Sequence, residues 1–158
     1  MSTQITLTRA LLSQLYEHLF GETLPDKFLF GVRGAVPVSA GSLTITPQAQ
    51  NLDAYDDTIG YMVGENGHAY IGSVDPGRYY TIHPENSALG CAHVIEGHYT
   101  FVKGSHKKEP HAWKGQNVHC WRDKNKNGVQ DPAEKTVYVV TVSIDLHYGG
   151  VSNTVGEY

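Results

Sequence analysis

Cysteine is scarce in this chain. The only two, Cys91 and Cys120, stand in neither a C-x-x-C pair nor any other spacing used by structural zinc sites. Two buried thiols are expected, with a single disulfide as the alternative. Long apolar runs are also missing, and no stretch approaches the ~20 residues that a membrane span needs. The first residues, Met-Ser-Thr-Gln-Ile-Thr-Leu, lack a positively charged region followed by an apolar one, so no signal peptide is read and synthesis in the cytoplasm is expected. A basic stripe is absent as well: 12 basic and 16 acidic residues are spread along the sequence, for a net charge of −4. Nucleic acid is therefore not an expected partner.

What is present is glycine (17), tyrosine (10) and histidine (9) in 158 residues, which suits a mostly β, turn-rich chain better than a helical bundle. A chain of this length can bury roughly two thirds of its unfolded surface in one core. One helix stands out. Leu7, Leu11, Leu15 and Leu19 recur every four residues, with Leu12 and Tyr16 widening the stripe, which predicts an amphipathic helix from near Thr6 to a stop at Gly21, packed on the core. Residues 1–24 are thus read as an N-terminal helical segment and 25–158 as a β-rich domain.

Beyond Pro25 the pattern is that of short strands. Residues 28–34 form an apolar run that ends with Arg33 in a glycine-flanked turn, where Arg33 is either a ligand contact or solvent-facing. Residues 36–52 read as strand fragments and loop. Residues 58–63 and 68–74 read as a hairpin signalled by Asn66-Gly67. Two more short strands are expected about a turn at Glu96-Gly97, residues 105–115 as an exposed loop, and residues 117–122 as a strand. The longest β-branched run, residues 137–147, places Tyr138, Val140, Val142, Ile144 and Leu146 on one face. The other face turns polar through Thr141, Ser143, Asp145 and His147.

Residues 123–134 match the calcium-loop pattern D-x-[DN]-x-[DN]-G-x5-E at every specified position. Asp123, Asn125 and Asn127 supply oxygens at positions 1, 3 and 5, and Gly128 makes the sharp turn. The Val129 carbonyl serves position 7, Asp131 stands at position 9, and Glu134 can close the shell with both oxygens. The flanks read as strands, so the expectation is a calcium site in a β context, with Lys124 and Lys126 lowering its affinity. The alternative is an Asn/Gly turn without metal.

The other histidine spacings do not suggest a transition-metal site. His93 and His98 flank a turn, His106 and His111 lie in the polar stretch, and His119 adjoins Cys120 on a strand, where neighbours point to opposite faces. His147 differs in its setting. At a strand end beside Gly149 and Gly150, a neutral imidazole can act as general base for a thiol or hydroxyl, against the alternative of a surface histidine.

Residues 144–158, Ile-Asp-Leu-His-Tyr-Gly-Gly-Val-Ser-Asn-Thr-Val-Gly-Glu-Tyr, resemble the segment before the nucleophile in L,D-transpeptidase catalytic domains of the YkuD type, most closely phage-associated members. Gly31-Val32-Arg33-Gly34, Val74-Asp75-Pro76-Gly77, residues 97–101 and the Arg122-Asp123 loop are similar in layout. The resemblance implies a mostly β, sandwich- or barrel-like YkuD fold and a cysteine that attacks a peptidoglycan stem peptide, passing the acyl group to an amine or to water. His147 would be its base. The family's Ser-x-Gly-Cys motif is expected just after Tyr158, and neither Cys91 nor Cys120 lies in such a motif. The resemblance therefore implies a nucleophile outside these residues, or a non-catalytic calcium-stabilised module that binds cell wall or sits in a phage particle. Partners would be the stem peptide and other phage or cell-wall proteins.

Overall fold

The computed structural model describes residues 3–49, 51, 54–84, 88–106, 109–140, 145 and 146. They form a mostly β chain with one main helix and four three-stranded antiparallel sheets. Two compact units share them, Met1–Val74 and Asp75–Tyr158. The helical segment 1–24 belongs to the first unit.

In the first unit, strand β1 (Ile5–Thr6) leads into helix α1 (Arg9–Phe20), and strands β2 (Lys27–Val32), β3 (Ala35–Pro37), β4 (Thr44–Pro47), β5 (Asp57–Val63) and β6 (Asn66–Gly72) follow. One sheet has the order β1-β4-β3 and the other β2-β5-β6. Helix α1 starts later than its leucine repeat suggests, because Thr8 caps it: the Thr8 side chain accepts the Leu11 N–H at 3.1 Å. Gly21 ends it at φ 68°, donating its N–H to the Glu17 carbonyl. Changing Thr8 to Ala is expected to cost about 1 kcal/mol, and changing it to Gly only a few tenths. Thermal melts followed by circular dichroism check this; equal losses for both would mean that the cap contributes nothing.

The expected core packing of the leucine stripe is found only at its start. Leu7 is buried with Ala35 and Ile45, and Leu12 leans on that cluster, but no residue of α1 is fully buried, and Leu15 and Leu19 are exposed at 46% and 64%. An arginine holds the helix instead. The Arg9 guanidinium, with five donors to place, reaches the carbonyls of Asp26 and Gly64 at 3.2 Å and that of Pro25 at 3.0 Å.

The predicted hairpin is β5–β6, but Val63 pairs with Asn66, so Gly64-Glu65 make the turn and Asn66-Gly67 open the second strand. Gly64, at φ 56°, takes the left-handed conformation there. The turn at Arg33-Gly34 is pinned by Asp57, which is fully buried and accepts the N–H of Gly34 at 2.9 Å and of Val74 at 2.7 Å. Arg33 is half-buried in that turn.

The second unit contains a short helix α2 (Arg78–Ile82), strands β7 (Cys91–Val94), β8 (Thr100–His106), β9 (Glu109–Gln116) and β10 (Val118–Asp123), a single 3₁₀ turn (Pro132–Glu134), and strands β11 (Tyr138–Val140) and β12 (Asp145–Leu146). Its sheets run β11-β10-β7 and β12-β9-β8. Strands β7 and β8 flank the Glu96-Gly97 bend as expected, in different sheets. Two expectations are corrected here. The stretch read as an exposed loop contains β9, paired with β8 from Thr100↔Gln116 to His106↔Glu109. The described ends of the 137–147 run also diverge, β11 pairing with β10 and β12 with β9. Alternation still sorts the faces where it is visible. Val140 is buried with Val118 and Cys120, while Val139 is exposed.

Candidate cation loop and its buried support

Strand β10 ends at Asp123, and the chain then turns through residues 124–131 into the 3₁₀ turn at Pro132–Glu134. Strands β10 before the loop and β11 after it stand where an EF-hand has paired helices, as the flanking sequence predicts, and the 3₁₀ turn lies within the loop itself. Asp123 and Glu134 are buried, at 0% and 5% exposure, and both carboxylates point back at the loop's own backbone. Asp123 accepts the N–H of Asn127 at 3.1 Å and of Gly128 at 2.7 Å. Glu134 accepts the N–H of Lys124 at 2.7 Å with one oxygen and of Asp131 at 3.2 Å with the other. The last bond is half of a capping box, since the Asp131 side chain in return accepts a backbone N–H of the 3₁₀ turn. Gly128 takes φ 78°, where a side chain is strained, and Lys126 accepts φ 65°.

The loop carboxamides complete the ring. Asn125 and Asn127 both donate their side-chain NH₂ to the same Asp131 oxygen, Asn127 at 3.0 Å. Their own oxygens accept N–H groups two residues on, Asn127 from Val129 at 2.8 Å and Asn125 from Asn127 at 3.2 Å. The structure thus brings together five of the six sequence-predicted ligands, Asp123, Asn125, Asn127, Asp131 and Glu134, through a single hydrogen-bond ring. Val129 takes part through its N–H, and its side chain is exposed. An ionised carboxylate has about four acceptor positions. Asp123 and Glu134 therefore retain lone pairs for a hard cation after accepting these bonds.

Below the loop lies a group that sequence reasoning did not find. In the β7–β10 register His93 faces Trp121 and Cys91 faces Asp123, so all four side chains share one face of the sheet, and all four are buried. His93 stacks on Trp121, with centroids 4.3 Å apart and ring planes at 17°. Its Nδ1 is 3.9 Å from Asp75 Oδ1 and its Nε2 3.8 Å from Asp123 Oδ2, and Nε2 has no hydrogen-bond partner among the described residues. The signal was available as two i, i+2 pairs, Cys91/His93 and Trp121/Asp123, but only the strand pairing shows that they coincide. Among the described residues no three His, Cys, Asp or Glu side chains form a metal cluster. That holds for the loop's own Asp123, Asp131 and Glu134, whose oxygens accept hydrogen bonds from loop N–H groups.

Both cysteines are buried thiols rather than a disulfide, Cys91 opposite Asp123 and Cys120 opposite Val94. Burial, reinforced by the Asp123 charge, pushes the Cys91 thiol up from 9.0 to about 11. A thiol so placed stays protonated at neutral pH and is a poor nucleophile. Because the folded value lies above the unfolded one, this thiol's contribution to stability is complete below pH 9 and is lost as pH rises toward 11. Denaturant titrations across that window are expected to show a steeper decline for the parent than for Cys91→Ala; matching slopes would contradict the assignment.

His147, Gly149 and Gly150 lie outside the described residues. The strand leading to them is described as far as Leu146, which pairs with Trp113 of β9. No protein-family model, curated protein or solved structure matches the chain. No helix among the described residues is long and apolar enough to cross a membrane.

Proposed function

We propose that the chain is a peptidoglycan-directed domain of the YkuD kind, with a second unit braced by a calcium-type loop. The carrying observation concerns the loop: the buried Asp123 and Glu134 carboxylates converge on one backbone turn that also gathers Asn125, Asn127 and Asp131. Calcium is the fitting ion because every donor is an oxygen, from carboxylates, carboxamides and a main-chain carbonyl. Asp123, Asn125, Asn127, the Val129 carbonyl, Asp131 and Glu134 would hold it, fastening the end of β10 to the 3₁₀ turn. Calorimetric titration of the 158-residue chain with calcium is expected to give heat and a rise in melting temperature at millimolar ion. Neither effect at that concentration would remove calcium from this reading.

The cell-wall assignment is supported by the resemblance of residues 144–158. In it His147 acts as the base for a cysteine nucleophile, and Gly149-Gly150 leave room for a peptide to approach. The protonated state of Cys91 and the complete burial of Cys120 argue against either as that nucleophile. The same observation favours a second reading, a non-catalytic calcium-stabilised module that binds cell wall or sits in a phage particle. Purified peptidoglycan and tetrapeptide muropeptides, followed by sedimentation and mass spectrometry, separate the two. The 158-residue chain is expected to bind without turnover, and a version extended by a Ser-x-Gly-Cys segment to release or transfer the terminal D-residue. Binding without turnover by the extended version favours the module. Turnover by the 158-residue chain that survives loss of both cysteines refutes the cysteine mechanism, and absence of binding by either version refutes the cell-wall assignment.

A further inference from the structure

The chain contains two Asn-Gly dipeptides, Asn66-Gly67 and Asn127-Gly128, and the second lies inside the candidate cation loop. Glycine's missing Cβ lets its backbone nitrogen approach the preceding side chain freely. When that nitrogen attacks Cγ of the asparagine, an N–Cγ bond forms and the Cγ–Nδ2 bond breaks. The side-chain nitrogen departs as ammonia, taking up the glycine amide proton, and water then opens the succinimide to aspartate or isoaspartate.

In the closed loop each participating group is occupied. The Gly128 N–H donates to Asp123 at 2.7 Å, Asn127 Oδ1 accepts from Val129 at 2.8 Å, and Asn127 Nδ2 donates to Asp131 at 3.0 Å. These bonds also set the consequence of the reaction. Conversion to aspartate replaces the donor that faces Asp131 with a second carboxylate, leaving only the Asn125 amide donating to that oxygen from the pair. Like charges at hydrogen-bond separation oppose closure. They also add an anionic oxygen donor at position 5, which favours a bound cation.

We propose that Asn127 is a self-modification site gated by the closure of this loop, and that its conversion turns a loop closed by its own hydrogen bonds into one that needs a cation to close. The cation clause rests on the calcium reading above. The modification and the loss of stability do not.

The test follows Asn127 and Asn66 by peptide mapping during incubation of the 158-residue chain at mildly alkaline pH, as the parent, as Asp123→Ala and in urea. Asn127 is expected to convert slowly in the parent and several-fold faster in Asp123→Ala, approaching its rate in urea. Asn66, exposed in β6, keeps its parent rate in that variant and controls for the first unit, while the fluorescence of Trp113 and Trp121, both in the second unit, controls for the folding of that unit. An unchanged Asn127 rate in folded Asp123→Ala overturns the gating, and so does a parent rate equal to that in urea. If the tryptophan fluorescence of the variant matches that in urea, the second unit has unfolded, and Asn127→Asp decides. That variant is expected to melt a few degrees below the parent in a chelator and to regain the difference in millimolar calcium. Equal melting in the chelator overturns the proposed consequence. A loss that calcium does not restore defeats the calcium reading and leaves the modification site standing.

Discussion

Replacing Asp123 with alanine is expected to lower the unfolding free energy by about 3 kcal/mol, among the largest losses for a single side chain in the second unit. The carboxylate is fully buried and accepts two loop N–H groups, so its removal leaves both donors without their acceptor in a part-buried setting. Each buried donor stranded in this way costs about 1–3 kcal/mol. His93 Nε2, already without a hydrogen-bond partner among the described residues, would also lose the carboxylate 3.8 Å away. Asn in place of Asp keeps one acceptor oxygen and is expected to cost about half as much. Urea unfolding in a chelator measures both, separating the hydrogen-bond ring from any bound ion. A loss below about 1 kcal/mol for the alanine variant would mean that the loop is held elsewhere, for instance through Glu134.

How far the fold was legible depends on whether the signal was local. The Gly21 stop and the Arg33-Gly34 turn are written in adjacent residues and follow from them, whereas the Thr8 cap is not read from the leucine repeat, which starts the helix near Thr6. The turn at 123–134 was legible for the same reason, because its Asp, Asn, Gly and Glu positions lie at fixed offsets within twelve residues. Strand β9 was not. Glu109–Gln116 contains Pro110 and Gly115, with His111 before Ala112 and Lys114 after it, a weak strand composition that pairing with β8 overrides. The leucine stripe of α1 misled in the opposite direction. Its period is sound, but periodicity reports a face and not what that face meets, and here Arg9 supplies the anchoring. His93 was missed because Asp75 and Asp123 are distant from it in sequence, and its place beside Asp123 comes from the pairing of β7 with β10.

Gly90 links the loop to that buried face, and its substitution by alanine is expected to cost roughly 3 kcal/mol or more. Two effects combine. Gly90 lies at φ 76°, a conformation that costs an L residue about 1–2 kcal/mol. Its Cα is also pressed against the peptide between Asp123 and Lys124: a Cβ there would stand 2.5 Å from the Asp123 carbonyl carbon and 2.8 Å from Lys124 N, and closer still to the Asp123 oxygen. Those are backbone atoms and cannot swing aside as a flexible side chain would. Relief must displace either the start of β7 or the first residues of the loop, where Lys124 N donates to Glu134. Asparagine separates the two effects, since it tolerates the left-handed conformation but carries a Cβ. If backbone angle dominates, Gly90→Asn should be clearly milder than Gly90→Ala; if the close approach dominates, both should fail alike. We expect them to fail alike, because the Cβ position is common to both residues and the atoms it meets are main-chain. Two melting curves decide the matter, and a near-native Gly90→Asn would show that β7 and the loop can part without penalty.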